Sequence, residues 1–174
     1  MINKIFRAII IILCLMNADN VYGSEILPKR GDIALLVEGP AEHAKRVETF
    51  IINMLRNRGY RVVDEAKMKS IRRAAAQALA NKYILYGEKH KILSINAKYS
   101  VAATIIATIT PEQARENSFK LFTATASVSI TVAKSNGVKF GGENASSKQV
   151  GYTEAEATRK AVDEAVKIGM SQLF

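Results

Sequence analysis

Two segments in the second half of the chain alternate between apolar and small polar side chains. In residues 122–133, FTATASVSITVA, the even positions are apolar and the odd positions are Thr or Ser, apart from the terminal Ala133. Residues 101–110, VAATIIATIT, carry a similar alternation. Because successive side chains of a strand point to opposite faces, both segments are predicted strands with one buried face.

Helices and two short strands are predicted in the first half of the chain. Residues 33–37 form a continuous apolar run, which is typical of a strand buried on both faces. Pro40 and Gly59 bracket apolar residues at helical spacing, and Asp64 is placed to cap a second helix. A further strand over 60–63 and a third helix over 88–97 complete this half.

The end of the chain is predicted to be a hairpin followed by a capped helix. Asn136 and Gly137 form a dipeptide that favours a tight hairpin turn, with a returning strand over 138–150. Thr153 and Glu156 have the spacing of a capping box at the start of the last helix. The inward residues of this helix are expected to be Ala157, Ala161, Ala165, Ile168 and Leu173. Residues 111–120 are polar and are predicted to be a loop or a single helical turn.

These elements predict one α/β (α+β) domain in the order β-α-β-α-α-β-β-β-α. The expected architecture is a two-layer sandwich, in which helices pack on one face of a mixed sheet. The domain spans residues 32–174, and residues 24–31 are expected to be an N-terminal tether.

The first 23 residues have the features of a secretory signal peptide. Lys4 and Arg7 precede the apolar run 8–16, which is much shorter than the roughly 20 residues of a membrane span. Val21 and Gly23 are small enough for a signal peptidase site, so cleavage after Gly23 is predicted. An uncleaved anchor is the alternative. With cleavage, the mature chain has no predicted transmembrane segment and is exported to the periplasm.

Cys14 is the single cysteine, and it lies inside the apolar run. Leu13 precedes it, whereas a bacterial lipoprotein signal has a small residue at that position. Cys14 is therefore interpreted as part of the signal peptide, with lipidation as the alternative. A mature chain without cysteine excludes disulfides and thiolate metal sites.

The positive charge of the chain indicates an anionic partner or a solvated basic surface. The formal net charge is +9, and removal of two basic residues and one acidic residue with the signal peptide leaves +8. Outside the cytoplasm, such a charge favours lipid headgroups, cell-wall polymers or acidic proteins, and argues against nucleic acid. Four exposed side chains of the second helix form a candidate basic surface: Lys67, Lys69, Arg72 and Arg73.

Catalytic and metal-binding motifs are not found in the sequence. His43 and His90 have no nearby His or Cys partner and are both expected to be exposed on helices. No nucleophile elbow, phosphate-binding loop or dinucleotide fingerprint occurs. No catalytic residue, metal or cofactor is predicted, and the protein is not expected to be an enzyme.

The polar side chains of the two alternating strands form the candidate docking face. A solvated sheet face usually includes Lys and Glu, whereas this one is small and uncharged, which suggests that a partner lies flat on it. A plain solvated face built from residues with good β-propensity is the alternative. The candidate residues are Thr104, Thr108, Thr123, Thr125, Ser127, Ser129 and Thr131.

A resemblance supports an envelope role. KILSINAKYSVAATIIATI, FTATASVSITVAKSNGVKF and VGYTEAEATRKAVDEAVKIGMSQL resemble the small α/β modules of bacterial envelope-assembly proteins. These include the middle domain of flagellar assembly protein T, the curli secretion lipoprotein family and the N-terminal domain of the Tol-Pal translocation protein B. The resemblance implies a non-enzymatic scaffold that docks on an envelope assembly. Binding of an anionic polymer or lipid is the second hypothesis, and a secreted hydrolase is the third.

Overall fold

The computed structural model describes residues 26–79, 87–136 and 139–174. These ranges contain four helices and one six-stranded sheet. The strands are β1 (Asp32–Glu38), β2 (Arg61–Val62), β3 (Ala103–Pro111), β4 (Arg115–Glu116), β5 (Phe122–Lys134) and β6 (Lys139–Gly151). The helices are α1 (Ala41–Asn57), α2 (Glu65–Leu79), α3 (Gly87–Lys98) and α4 (Glu154–Ser171).

The sheet is mixed and has β1, β3 and β5 at its centre. β1 pairs in parallel with β2 on one side and with β3 on the other, and six residue pairs join β1 to β3. β5 runs antiparallel to β3, β4 and β6. The predicted α/β fold with helices packed on a mixed sheet is therefore confirmed.

Local sequence features end α1 and begin α2 as predicted. Gly59 has a φ of 81°, and the backbone N–H groups of Gly59 and Tyr60 donate to the carbonyls of Arg56 and Leu55. This pattern is a Schellman motif, which requires the left-handed backbone that Gly adopts without strain. At the start of α2, Asp64 Oδ1 accepts the backbone N–H of Lys67 at 2.8 Å.

The core cluster contains side chains from the sheet and from all four helices, and part of it lies between the sheet and helices α1 and α4. Even-numbered apolar residues of β5, such as Ile130, are fully buried there. Residues of β3 on the same face of the sheet, such as Ile105, are buried with them. Leu27 is also buried, at 1% exposure, and belongs to the same core cluster. The described part of the predicted tether therefore packs against the domain.

The capping box of α4 is present with one difference from the usual pattern. Thr153 Oγ1 accepts the backbone N–H of Glu156, and Glu156 Oε2 accepts the N–H of Tyr152 rather than that of Thr153. The ion pair with Lys160 and the bond from Tyr152 lower the pKa of Glu156 from 4.5. Its stabilising contribution is thus present above about pH 4.5 and is lost as the pH falls through the lowered pKa.

Two details differ from the sequence prediction. The polar segment 111–120 contains β4, which pairs with the start of β5, rather than a helical turn. Ile168 was expected to point inward, but it is 37% exposed, and Gly169 and Met170 are buried instead. Predictions for residues 80–86 and for Gly137 lie outside the described residues. Within those residues, no helix is long and apolar enough to cross a membrane.

Candidate docking face

The polar side chains of β3, β5 and β6 share one face of the sheet, which we call the Thr/Ser face. The register places Thr108 opposite Ser129, Thr110 opposite Ser127, and Ser127 opposite Ser146. Side chains opposite one another in paired strands lie on the same face. The Thr/Ser face comprises Thr108, Thr110, Thr123, Thr125, Ser127, Ser129, Thr131, Asn144, Ser146, Lys148 and Val150.

The centre of the Thr/Ser face is a shallow, uncharged depression. Its polar lining comes from three strands and consists of Thr108, Thr110, Ser127, Ser129, Asn144 and Ser146. Ser127, Asn144 and Ser146 are exposed, and Thr125 and Ser129 are partly exposed. Short hydroxyl and amide side chains leave the backbone of the sheet accessible, so a flat partner surface could approach it closely.

Charges of both signs border this depression at the end of the sheet where β5 begins. Glu112, Glu116, Arg115 and Lys148 line a second depression there, together with Thr123 and Thr125. A surface with mixed charge around a neutral centre complements a protein surface better than it complements a polyanion.

Helix α3 covers the other end of this face of the sheet. Asn96 is fully buried and accepts the hydroxyl of Thr104 at 2.5 Å, and its amide donates to the carbonyl of Ala133 at 2.9 Å. Thr104 is also fully buried. Its inclusion among the docking residues was wrong, because helix α3 shields it from any partner.

We expect Asn96→Ala to lower the free energy of unfolding by about 2 kcal/mol, because it leaves the Thr104 hydroxyl buried without its partner. Chemical denaturation followed by circular dichroism measures this. Asn53→Ala makes the same change at an exposed position of α1; it is the control and should change stability little. Equal stability of Asn96→Ala and the wild type would contradict the bridging role of Asn96.

Five residues of the Thr/Ser face were missed in the sequence analysis: Thr110, Asn144, Ser146, Lys148 and Val150. Thr110 continues the parity of Thr108 and could have been included on that basis. The β6 residues could not be placed, because Gly141 and Gly142 interrupt the alternation and the register shifts between Ile130 and Val132.

The predicted basic surface is partly neutralised. Lys67 Nζ lies 3.3 Å from Asp32 Oδ2, and Arg72 forms an ion pair with Glu48 of α1. Lys69 and Arg73 are exposed. These four residues lie on α2, whose main contacts are with α3 and β1, whereas the Thr/Ser face is formed by β3, β5 and β6.

His43 is buried at 7% exposure, so the expectation that it is an exposed helix residue was wrong. Its Nε2 lies 3.2 Å from Glu42 Oε1 but makes no hydrogen bond of good geometry. It belongs to the inner face of α1, together with Val47 and Ile51. The side chain of His90 lies outside the described residues. In the described part of the chain, no three His, Asp or Glu side chains cluster as metal ligands would.

Residues 39–172 match the sequence profile of the family described as "TP0693-like lipoprotein, C-terminal domain". This range includes α1, the whole Thr/Ser face and α4. The matched family is not one of the three that the sequence analysis named by resemblance, so that identification was too specific. No curated protein matches the chain in sequence.

Solved structures share the fold at low sequence identity. The lipoprotein GNA1162 from Neisseria meningitidis is 14% identical, with a TM-score of 0.50, covering 82% of this chain and 99% of that one. The LpoB C-terminal domains from Salmonella enterica and Escherichia coli are 13% identical, with TM-scores of 0.36, covering 68% of this chain and 83% of theirs. The likeness to GNA1162 shows a common fold, and the other two are too distant to support an argument.

Proposed function

Because the chain belongs to the family of TP0693-like lipoprotein C-terminal domains, we propose that it is a non-enzymatic interaction module of a bacterial cell envelope. It docks through the Thr/Ser face onto a partner protein of an envelope assembly. The family name supports the envelope location, and the partly exposed face with its uncharged centre supports docking as the role.

The observation that carries this proposal is the contrast between the two faces of β5. One parity is buried under α4, with Val128 at 1% and Ile130 at 0% exposure. On the other parity, Ser127 is exposed, and Thr123, Thr125, Ser129 and Thr131 are partly exposed. Small side chains without charge lower the desolvation cost of covering this surface.

We expect Thr125→Lys and Ser129→Lys to abolish partner capture while the domain stays folded. Each adds a charge to the Thr/Ser face, and at partly exposed strand positions the free energy of unfolding should change by less than about 1 kcal/mol. Melting temperature and pull-down from envelope extracts of the source organism are the two measurements.

Thr49→Lys is the matched control, because Thr49 is exposed on α1 and the change adds the same charge elsewhere. It should retain every partner. If the two variants on the face fold and retain their partners as well, the face is only solvated and the docking proposal fails.

A second function is binding of an anionic envelope polymer or lipid, which the net charge favours. Ionic strength separates the two. Attraction of Lys69 and Arg73 to a polyanion should weaken steeply between low and high salt, whereas docking on an uncharged sheet face should change little. The neutralised Lys67 and Arg72 make the docking role the stronger proposal.

The signal peptide remains our prediction for residues 1–23, and the mature chain is expected to begin at Ser24 in the periplasm. The family name includes the word lipoprotein, which gives the alternative of a lipid on Cys14 more weight than the sequence does. Intact-mass measurement of the exported protein decides between them. A mass that includes residues 1–23, or acyl chains on Cys14, would contradict cleavage after Gly23.

A further inference from the structure

The outer edge of β6 is long and is not paired with any strand among the described residues. β6 spans 13 residues, and its pairing partner is β5. An open strand edge presents backbone donors and acceptors that can pair with another strand. The exposed part of this edge carries Asn144, Ser146 and Lys148, all of which belong to the Thr/Ser face.

Two hydrogen bonds establish which backbone groups point outward from this edge. The carbonyl of Thr125 accepts the N–H of Glu112, so the backbone groups of Thr125 point toward β3 and away from its β6 partner Lys148. In an antiparallel pair this direction alternates from residue to residue. The carbonyl of Val150 accepts from Lys160 Nζ at 3.4 Å, which also places it on the outside. The outward groups are therefore those of Asn144, Ser146, Lys148 and Val150.

Helix α4 adds an exposed apolar side chain next to the same edge. Arg46 of α1 pairs with Asp163, which fixes the side of α4 that faces α1. At 100° per residue, Ile168 lies on the opposite side of α4, toward the outer edge of β6. A Cβ on the neighbouring Gly169 would lie 3.4 Å from the Cβ of Ala145, so Ile168 is at the level of Ser146.

These features fit a second copy of the same chain. In each copy, α4 covers β5 and β6. If β6 pairs antiparallel with β6 of another copy, the strand order across the junction is β5-β6-β6-β5, and the two α4 helices lie two strand spacings apart. That distance is about 9.6 Å, within the 8–10 Å at which helices pack. The exposed Ile168 side chains of the two copies would then meet close to the two-fold axis.

The level of Ile168 favours a register centred on Ser146, and the charge pattern of the edge is compatible with it. With the two-fold axis at Ser146, each Ser146 faces its symmetry mate and each Lys148 faces an uncharged Asn144. A register centred on Lys148 would instead place two lysines opposite each other, which is unfavourable. The register centred on Ser146 therefore avoids like charges along the whole exposed part of the edge.

We propose that two copies of this chain form a symmetric dimer by antiparallel β6–β6 pairing about Ser146, with α4 packed against α4 through Ile168. The two six-stranded sheets join into one, and the two Thr/Ser faces become a single continuous surface. This dimer is independent of the docking function, because it uses backbone groups at the edge and not the face itself.

A cysteine placed at the axis tests the proposal directly. Residues in a hydrogen-bonded antiparallel pair have Cα atoms about 5.5 Å apart, within the range that a disulfide spans. Under mild oxidation, the exported Ser146→Cys protein should give a disulfide-linked dimer on a non-reducing gel. Ser127→Cys is the matched control, because Ser127 is the partner of Ser146 on β5. Its symmetry mate would be about 14 Å away, so Ser127→Cys should form no disulfide and should run as a monomer on the same denaturing gel, as should the wild type.

Analytical ultracentrifugation supplies the second measurement. The wild-type exported protein should sediment as a dimer, and Ser146→Pro and Ile168→Lys should each raise the dimer dissociation constant at least tenfold. Pro removes an N–H that points outward and should leave the pairing with β5 intact. If Ser146→Pro misfolds, Ile168→Lys decides the question, because that side chain is already partly exposed.

A monomer at about 100 μM, or equal cross-linking of Ser127→Cys and Ser146→Cys, would overturn the dimer. If the wild type is a monomer and Ser146→Pro removes its binding to a different protein, the β6 edge binds that protein and not a second copy. Thr125→Lys should leave the dimer intact while it removes docking, so failure of the dimer and failure of the docking proposal are distinguishable.

Discussion

Val128→Lys is expected to leave the protein largely unfolded, with a loss of at least about 4 kcal/mol in the free energy of unfolding. Val128 is 1% exposed and lies in β5 beneath α4, opposite Ile109 on one side and Ala145 on the other. A lysine there must bury its ammonium group without a partner or push α4 off the sheet. Domains of this size are stable by about 5–15 kcal/mol, so the change removes a large part of the total.

The neighbouring Ser127→Lys is the matched control, because Ser127 is exposed on the opposite face of the same strand. The two variants add the same charge one residue apart, and thermal melting by circular dichroism should separate them by many degrees. Similar destabilisation of both would mean that both faces of β5 are buried, and the docking face would have to be abandoned.

Gly151→Ala is expected to destabilise the protein by about 3 kcal/mol. A Cβ at this position would lie 2.6 Å from the backbone N and 3.1 Å from the Cα of Ala157. These are main-chain atoms in the first turn of α4, so they cannot rotate away as the end of a side chain would. The methyl group must therefore move the helix, whose capping bonds from Tyr152 and Glu156 depend on its position.

Gly59→Ala provides the comparison for this prediction. Gly59 has no atom within 4 Å of an added Cβ, but its φ of 81° is strained for other residues. Its cost should be about 1 kcal/mol, from backbone strain alone. Chemical denaturation of both variants measures the difference, and a smaller loss for Gly151→Ala than for Gly59→Ala would contradict the close approach of α4 to β6.

The sequence was most informative where a single local pattern decides the structure. Alternation predicts β5 and its buried parity because a strand has a period of two, and Thr153 predicts the start of α4 because a side-chain oxygen must satisfy free N–H groups. The buried strand β1 was predicted from its continuous apolar run for a similar reason, since strands buried on both faces need apolar residues throughout.

Residues that depend on contacts between distant elements were not predictable in this way. Thr104 has the same pattern as Thr108, yet it is buried, because Asn96 of α3 bridges it to Ala133. Ile168 fits the apolar spacing of α4, but Gly169 lets the helix approach Ile130 and Ala145 closely, so the buried side is shifted by one residue. Neither effect is visible until the helices are placed on the sheet.

The position of β1 in the sheet also determines how the domain would respond to mechanical tension. Residues 26–31 lead directly into β1, which lies between β2 and β3, and an added Cβ on Gly31 would lie against Ala102. A force applied to this end, with the domain held at β5 or β6, acts along β1 and loads its six pairs with β3 simultaneously. Because these bonds must break together rather than one after another, a tethered domain of this topology resists extraction of its own N-terminal strand.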